Sequence, residues 1–254
     1  MSVSTQHLQQ VAERGAAELG EQASAQDVLA WTAATFDDRF IVAANMQDAV
    51  LVDLAARAVA RARPGEPASV ALARPDEPTS CRRFDVLFLQ TGYHFAETIG
   101  TRDAVEATYD VRIVDATPDQ TVAEQDATEG RDLFAREPDR CCHLRKVVPL
   151  QRILTGYQAW VTGVRRVEAP TRANTPLVAF DERHGLVKVN PLAAWTDEDV
   201  SGYINRHQVL VNPLVAAGYP SIGCAPCTAR PAPGADPRSG RWAGQAKTEC
   251  GLHE

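Results

Sequence analysis

The chain has 254 residues, 44% of them hydrophobic, enough to bury a substantial core in one α/β domain or in a domain with a small appendage. Its 26 basic and 33 acidic residues give a net charge of −7, which excludes a general electrostatic grip on nucleic acid or an anionic membrane; an anionic substrate must be met by a local cationic pocket. No apolar run approaches the roughly 18 residues of a membrane span, and the polar opening MSVSTQHLQQ lacks the apolar centre of a signal peptide. A cytoplasmic protein is therefore expected, in which six cysteines point to metal binding or redox chemistry rather than to disulfide staples.

In chain order, residues 1–38 alternate Ala, Gln and Glu with Leu and Val and read as an amphipathic helical preface. RFIVAAN (39–45) suits a buried strand, and helix-spaced apolar residues follow over 46–62. The Pro/Arg/Ser-rich stretch 61–83 reads as a surface loop with a short strand at SVALA (69–73). DVLFLQ (85–90) and VRIVDA (111–116) are strands with a helix between them, and helix-prone acidic sequence runs on to Arg136. LRKVVPLQRIL reads as a helix disturbed at Pro149, AWVTGV (159–164) as a strand, and LVAFDE and LVKVNPL as two strands around the turn RHG. Thr196 is an N-cap with acids in the first turn behind it. Strands alternating with helices predict a doubly wound, mostly parallel α/β sheet over 39–230. Residues 231–254, rich in Pro and Gly, are expected to form an extended, mobile tail.

The chemistry is carried by cysteines. Cys141 and Cys142 are adjacent, and such a pair closes on itself only through a strained ring, so both are better read as donors to a third body. Cys224 and Cys227 form a CxxC in a Gly/Pro turn. Together the four make a soft ligand set for a [4Fe–4S] cluster or a tetrahedral zinc, with buried or redox thiols as the remaining reading. Cys250, in KTECGLHE, is either an incidental thiol on a polar tail or a nucleophile that a cationic pocket must activate, because Glu249 beside it opposes the thiolate. Cys81 has no partner and is taken as a bystander.

CCHLRKVVPL, SIGCAPCTARP, GADPRSGRW and the terminal ECGLH, together with TGYHFAET and VNPLAAWTDEDV, resemble the assimilatory adenylyl-sulfate (APS) reductases of bacteria, from about Phe40 to the end of the chain. The resemblance implies an ATP-pyrophosphatase type of nucleotide-binding fold and reduction of APS by thioredoxin to sulfite and AMP. It implies that Cys141, Cys142, Cys224 and Cys227 hold a [4Fe–4S] cluster and that Cys250 attacks sulfur to form an S-sulfocysteine. Lys146 matches the lysine of the CCxxxK pattern, and Arg172, Arg238 and Arg241 match positions that meet the phosphosulfate. Gly163, after AWVT, is assigned to nucleotide approach, with a simple turn as the alternative; His94 and His253 are assigned structural or surface roles. The chain departs from the family pattern in AANMQD (43–48), which lacks the usual serines of the nucleotide loop, and in Gln90, which stands where LDTGYHF has an acid. The rivals are a PAPS reductase, which acts on the 3′-phosphorylated nucleotide, and a zinc-clipped nucleotide-binding module. A tRNA sulfur transferase would need a basic surface and an SGGxDS-type loop, both missing here.

Overall fold

The protein is described by a computed structural model covering residues 4–62, 83–245, 247 and 249–252. The strand expected at 69–73, Cys81 and His253 lie outside these residues.

The helical preface is a pair of helices, each started by a side-chain cap. Ser4 accepts from the His7 N–H at the head of α1 (Thr5–Leu19), and Ser24 and Asp27 form a capping box on α2 (Ala25–Phe36). Leu8, Val11, Ala12 and Gly15 recur on one buried face of α1. Gly15 is needed there, since a Cβ would run into the Trp31 ring on α2.

The sheet comprises β1 (Phe40–Ala43), β2 (Phe84–Leu89), β3 (Val111–Ala116), β4 (Ala159–Val161), β5 (Val178–Asp181) and β6 (Leu186–Val189), in the order β3-β2-β1-β4-β6-β5. Every neighbouring pair is parallel except β5–β6, an antiparallel edge hairpin whose turn uses Gly185 at φ 70°. β1 is buried except for its last residue and β4 throughout; such continuous apolar runs belong to strands covered on both faces. From β1 the chain winds through α3 (Val50–Ala62) and α4 (Ala96–Thr108) to β2 and β3. It then crosses to the other side of β1 to lay down β4. This winding in both directions bears out the doubly wound expectation. It also opens a crevice at the carboxyl ends of β1 and β4, where such sheets bind ligands.

Two local departures shape that crevice. The helix expected from Met46 starts only at Val50. Asn45 Oδ1 accepts from the Gln47 N–H and Asp48 Oδ1 from the Val50 N–H, and these side-chain turns compete with helical bonding. Met46 is left-handed at φ 59°, and the loop is tied across by Ala49 N–H to Leu210 O. The second departure lies between β3 and β4. After α5 (Val122–Glu129) and α6 (Leu133–Arg136), α7 (Pro138–Cys142) and α8 (Val148–Leu154) join through a π-helical turn, His143–Val147. Pro149 has no N–H to give the ladder, and Val148 reaches back five residues to His143 O. The disturbance expected at Pro149 is thus a widened turn upstream of it, and it turns Arg145 and Lys146 inward, both buried.

Residues beyond β6 carry α9 (Asp197–His207), whose Thr196–Asp199 capping box realises the predicted N-cap, and α10 (Pro213–Ala216). Among the described residues no helix is long and apolar enough to cross a membrane. The segment after Pro231 is not extended in this state. It is folded into turns against the body, with Trp242 only 3% exposed and a backbone bridge between Thr228 and Arg241.

Candidate active site

The crevice is a cavity of about 600 Å³, within the range of small-molecule sites. Leu51, Leu87 and Trp160 give it apolar lining. Its lining includes Lys146, Gly163, Arg172, Arg238, Arg241 and Cys250, so every residue assigned to substrate or nucleophile from the sequence lines one space. A smaller cavity adjoins it, lined by Cys141, Cys142, Cys224 and Cys227 with Tyr93 and Phe134; Lys146 and Cys224 line both and form the shared wall.

Cys141 and Cys142 are buried on the last turn of α7. The second pair sits on a 3₁₀ turn, Ala225–Cys227, fixed by Ala225 N–H to Tyr93 O (2.7 Å) and by Thr228 Oγ1 donating to Cys224 O (2.9 Å). Thr91 Oγ1 lies 3.3 Å from Cys224 Sγ. Burial, then the neighbouring thiol groups, pushes Cys141 up to about 11, and Cys227 rises to about 11 for the same first reason. These rises disfavour the thiolate forms of Cys141 and Cys227, and a bound metal would favour them. Among the described residues, no three His, Cys, Asp or Glu gather closely enough to hold a single metal ion, although the four cysteines face one cavity.

Of the two cations after the cysteine pair, Arg145 is structural. It donates to Thr91 O, to Gln125 Oε1 at 3.0 Å and to Gln120 O at 3.3 Å, with Tyr93 stacked 5.3 Å away. Lys146 carries the charge into the site. Burial alone would lower its pKa, but thiolate charge at Cys224, Cys142 and Cys250 outweighs that and raises it. Its Nζ sits 5.9 Å from the centre of the Trp242 ring, which Arg241 and Lys247 also face, at 4.7 and 5.4 Å. An aromatic face attracts cations, so one indole gathers three of them beside the cysteines.

Arg241 lies over the backbone of Gly223, where a Cβ would overlap its guanidinium, and donates to Ile222 O at 3.3 Å. Burial lowers its pKa, and its Nε has no partner among the described residues, nor has the buried Trp242 Nε1. Gly240 is held against Ala229 so closely that a Cβ would overlap the Ala229 carbonyl, which sets the approach of Arg241. Arg172 donates to both oxygens of Glu249, at 2.8 and 3.1 Å, and also pairs with Glu168; Arg238 reaches Glu249 at 3.3 Å. Gly163 has only Leu51 near its missing Cβ, at 3.8 Å, so packing does not demand a glycine there and the open side faces the cavity.

Three more residues line the cavity that the sequence did not single out for it. Asp48 lines the cavity with its carboxyl pushed up, first by burial. His94, assigned a structural role, lines it too, with Nε2 2.7 Å from Leu89 O and its pKa lowered by burial. Trp242 was hidden by the polar, Gly/Pro-rich composition around it. For Asp48 a signal existed: an acid just past the first strand, at the crevice of a doubly wound sheet.

The phosphoadenosine phosphosulfate reductase domain model matches residues 39–230. An adenosine 5′-phosphosulfate reductase of Mycolicibacterium smegmatis is 62% identical over 97% of this chain and 94% of its own. One of Rhodococcus opacus is 61% identical over the same shares. Among solved structures, the phosphoadenylyl-sulfate (PAPS) reductase of Candida auris, in a phosphate complex, aligns with a TM-score of 0.64 and 25% identity over 90% of this chain and 99% of that one.

Proposed function

Because the chain belongs to the phosphoadenosine phosphosulfate reductase domain family, we propose that it reduces APS to sulfite and AMP in sulfate assimilation, on the nucleotide-binding α/β fold of the ATP pyrophosphatases. The observation that carries the reading is the convergence of Cys250 with Lys146, Arg172, Arg238 and Arg241 on one cavity at the carboxyl ends of β1 and β4. APS presents a phosphate–sulfate anhydride whose sulfur is screened by negative oxygens. A thiolate reaches it only where cations hold those oxygens and take up the charge of the departing AMP.

In the first stage the Cys250 thiolate attacks the sulfate sulfur. An S–S bond forms, the anhydride S–O bond breaks, and AMP leaves with the electron pair, giving an S-sulfocysteine. In the second, one thiolate of a reduced dithiol protein of the thioredoxin class attacks Cys250 Sγ and sulfite departs. The second thiol then resolves the mixed disulfide, so the dithiol supplies both electrons. The terminal segment is docked in the state described; presenting Cys250 to a partner protein requires that it swing out. Cytoplasmic, thiol-reducing surroundings suit this chemistry.

The four-cysteine cavity supports the [4Fe–4S] assignment on its donor set: four soft sulfurs line one space. Cys141, Cys142, Cys224 and Cys227 would hold it. Such a group supplies a fixed anionic field and a clip between α7 and the 3₁₀ turn. Lys146, on the shared wall, counters that charge and faces the substrate. Lys146→Ala is expected to lower kcat/KM for APS by about 10²–10³-fold, as loss of one preorganised charge donor does, with iron content unchanged. Steady-state rates alongside iron analysis check it.

The reading itself is tested by side-by-side turnover of APS and PAPS with reduced thioredoxin and anaerobically purified protein. Faster reduction of APS is expected; faster reduction of PAPS would overturn the substrate assignment.

A further inference from the structure

We propose that Glu249 is a positioning residue: its carboxylate fills the anion seat of Arg172 and Arg238 while substrate is absent, and an entering substrate oxyanion displaces it and thereby frees Cys250. The inference rests on the APS reading above and deepens it.

The seat is built as an oxyanion site. Arg172 offers Nη2 and Nε to the two carboxylate oxygens at 2.8 and 3.1 Å, and Arg238 adds a contact to one of those oxygens at 3.3 Å. A planar guanidinium fork gripping two oxygens is the geometry with which arginine binds sulfate and phosphate as well as carboxylate. All three side chains are largely buried, at 13%, 23% and 17% exposure for Arg172, Arg238 and Glu249, so the contact is not a solvated surface pair that salt would erase. Both arginines, Glu249 and Cys250 line the same cavity.

Arg172 and Arg238 cannot give these bonds to Glu249 and to a phosphosulfate at once. Arg172 is already shared with Glu168, and a second anion beside an undisplaced Glu249 would meet like charge. Exchange of one oxyanion for another keeps both guanidinium forks paired with an anion. Glu249 and Cys250 are consecutive, their Cα atoms about 3.8 Å apart, so the forks that grip the carboxylate tether the backbone carrying the thiol, and releasing the carboxylate loosens that tether. Anion occupancy is therefore coupled to release of the nucleophile. Binding energy from the non-reacting phosphate then does conformational work at the reacting sulfur.

Inorganic sulfate serves as the probe, with intact, cluster-loaded protein. Glu249→Gln removes the competing charge, and Glu249→Asp keeps the charge but withdraws it by one methylene. Sulfate is expected to bind about tenfold tighter to Glu249→Gln, and several-fold tighter to Glu249→Asp, than to the native chain. Sulfate should also accelerate alkylation of Cys250 by iodoacetamide several-fold in the native chain, read by peptide mass. In Glu249→Gln the alkylation should be fast already and indifferent to sulfate. Equal sulfate affinity in the native chain and Glu249→Gln, native-like affinity in Glu249→Asp, or Cys250 alkylation that sulfate leaves unchanged or slows would each overturn the exchange. None of these readouts requires turnover, so a chain that exchanges sulfate for Glu249 yet fails to reduce APS would sink the substrate reading alone.

Discussion

Cys250→Ser is expected to abolish sulfite production from APS, a fall of about 10⁴-fold or more, in the range seen when a covalent nucleophile is removed. The reason is more than a weaker nucleophile. A serine alkoxide is scarcely formed near neutrality, but even if it attacked, the product would be an O-sulfo ester, with sulfur still at the oxidation level of sulfate. Reduction depends on a divalent sulfur at this position, because sulfite leaves only when a second thiolate can attack that sulfur and form a disulfide. Cys250 lines the cavity with Lys146 and Arg241, so the attacking sulfur and two cations share the space the substrate would enter. Incubation with APS carrying ³⁵S should leave a label on the native protein that dithiothreitol releases, and none on the serine variant. AMP affinity should change little, since the nucleotide's other contacts persist. Equal labelling of the two proteins would refute the assignment of Cys250 as nucleophile.

What was legible in the sequence follows from how each feature is encoded. β3 was read to the residue, because an apolar run between a helix end and a Thr-Pro turn is written locally. The hairpin of β5 and β6 was announced by its His-Gly turn, and the α9 cap by Thr196 with Asp199 three residues on. The cysteine quartet was legible as a set, because adjacent cysteines have few other uses. What the sequence did not carry was nonlocal. The false start at Met46 arose because apolar spacing continues through the loop, while Asn45 and Asp48 side chains capture the backbone first. The docked terminus was unreadable from composition. Trp242 meets Lys146, from a distant part of the chain, on the ring that its near neighbours Arg241 and Lys247 also face. Glu249 was read as an opponent of the Cys250 thiolate. In the fold its carboxylate turns toward Arg172 and Arg238, and its charge is spent on them.

The nucleotide side shows how a departure from a family pattern can be absorbed. Gln90, standing in place of an acid, accepts from the Gly92 N–H at 3.3 Å and so serves the turn at φ 78° that leads to Tyr93 and His94. The loop AANMQD, without serine hydroxyls, lines the cavity with Asn45, Gln47 and Asp48, whose amide and carboxyl groups already hold the loop itself. Gln47 Oε1 accepts from Ile222 N–H at 3.2 Å, which ties the β1 loop to the segment carrying Cys224. The nucleotide loop and the cysteine turn are therefore mechanically joined, and a change in one is felt by the other.

That joining sets the expectation for Cys224→Ser/Cys227→Ser. The double variant is expected to lose iron, sulfide and visible absorption, and with them APS reduction, while keeping its sheet. The buried core that packs the sheet includes none of the four cysteines, so the α/β body does not depend on them for its apolar contacts. What it loses is a clip spanning residues 143–223. Treated like a cross-link, closure of a loop of about 80 residues contributes on the order of 4 kcal/mol through the unfolded chain, which for a protein of this size corresponds to a fall in Tm of about 10 °C. Trp242 N–H bonds to Cys227 O at 3.0 Å, so releasing the turn also loosens Trp242, the three cations around it and the segment that ends in Cys250. Far-UV circular dichroism near the native signal, with a lowered Tm and no sulfite, is the pattern that places the quartet in the site and outside the core. An iron-free double variant reducing APS at the native rate would show that neither the clip nor its charge matters to the reaction.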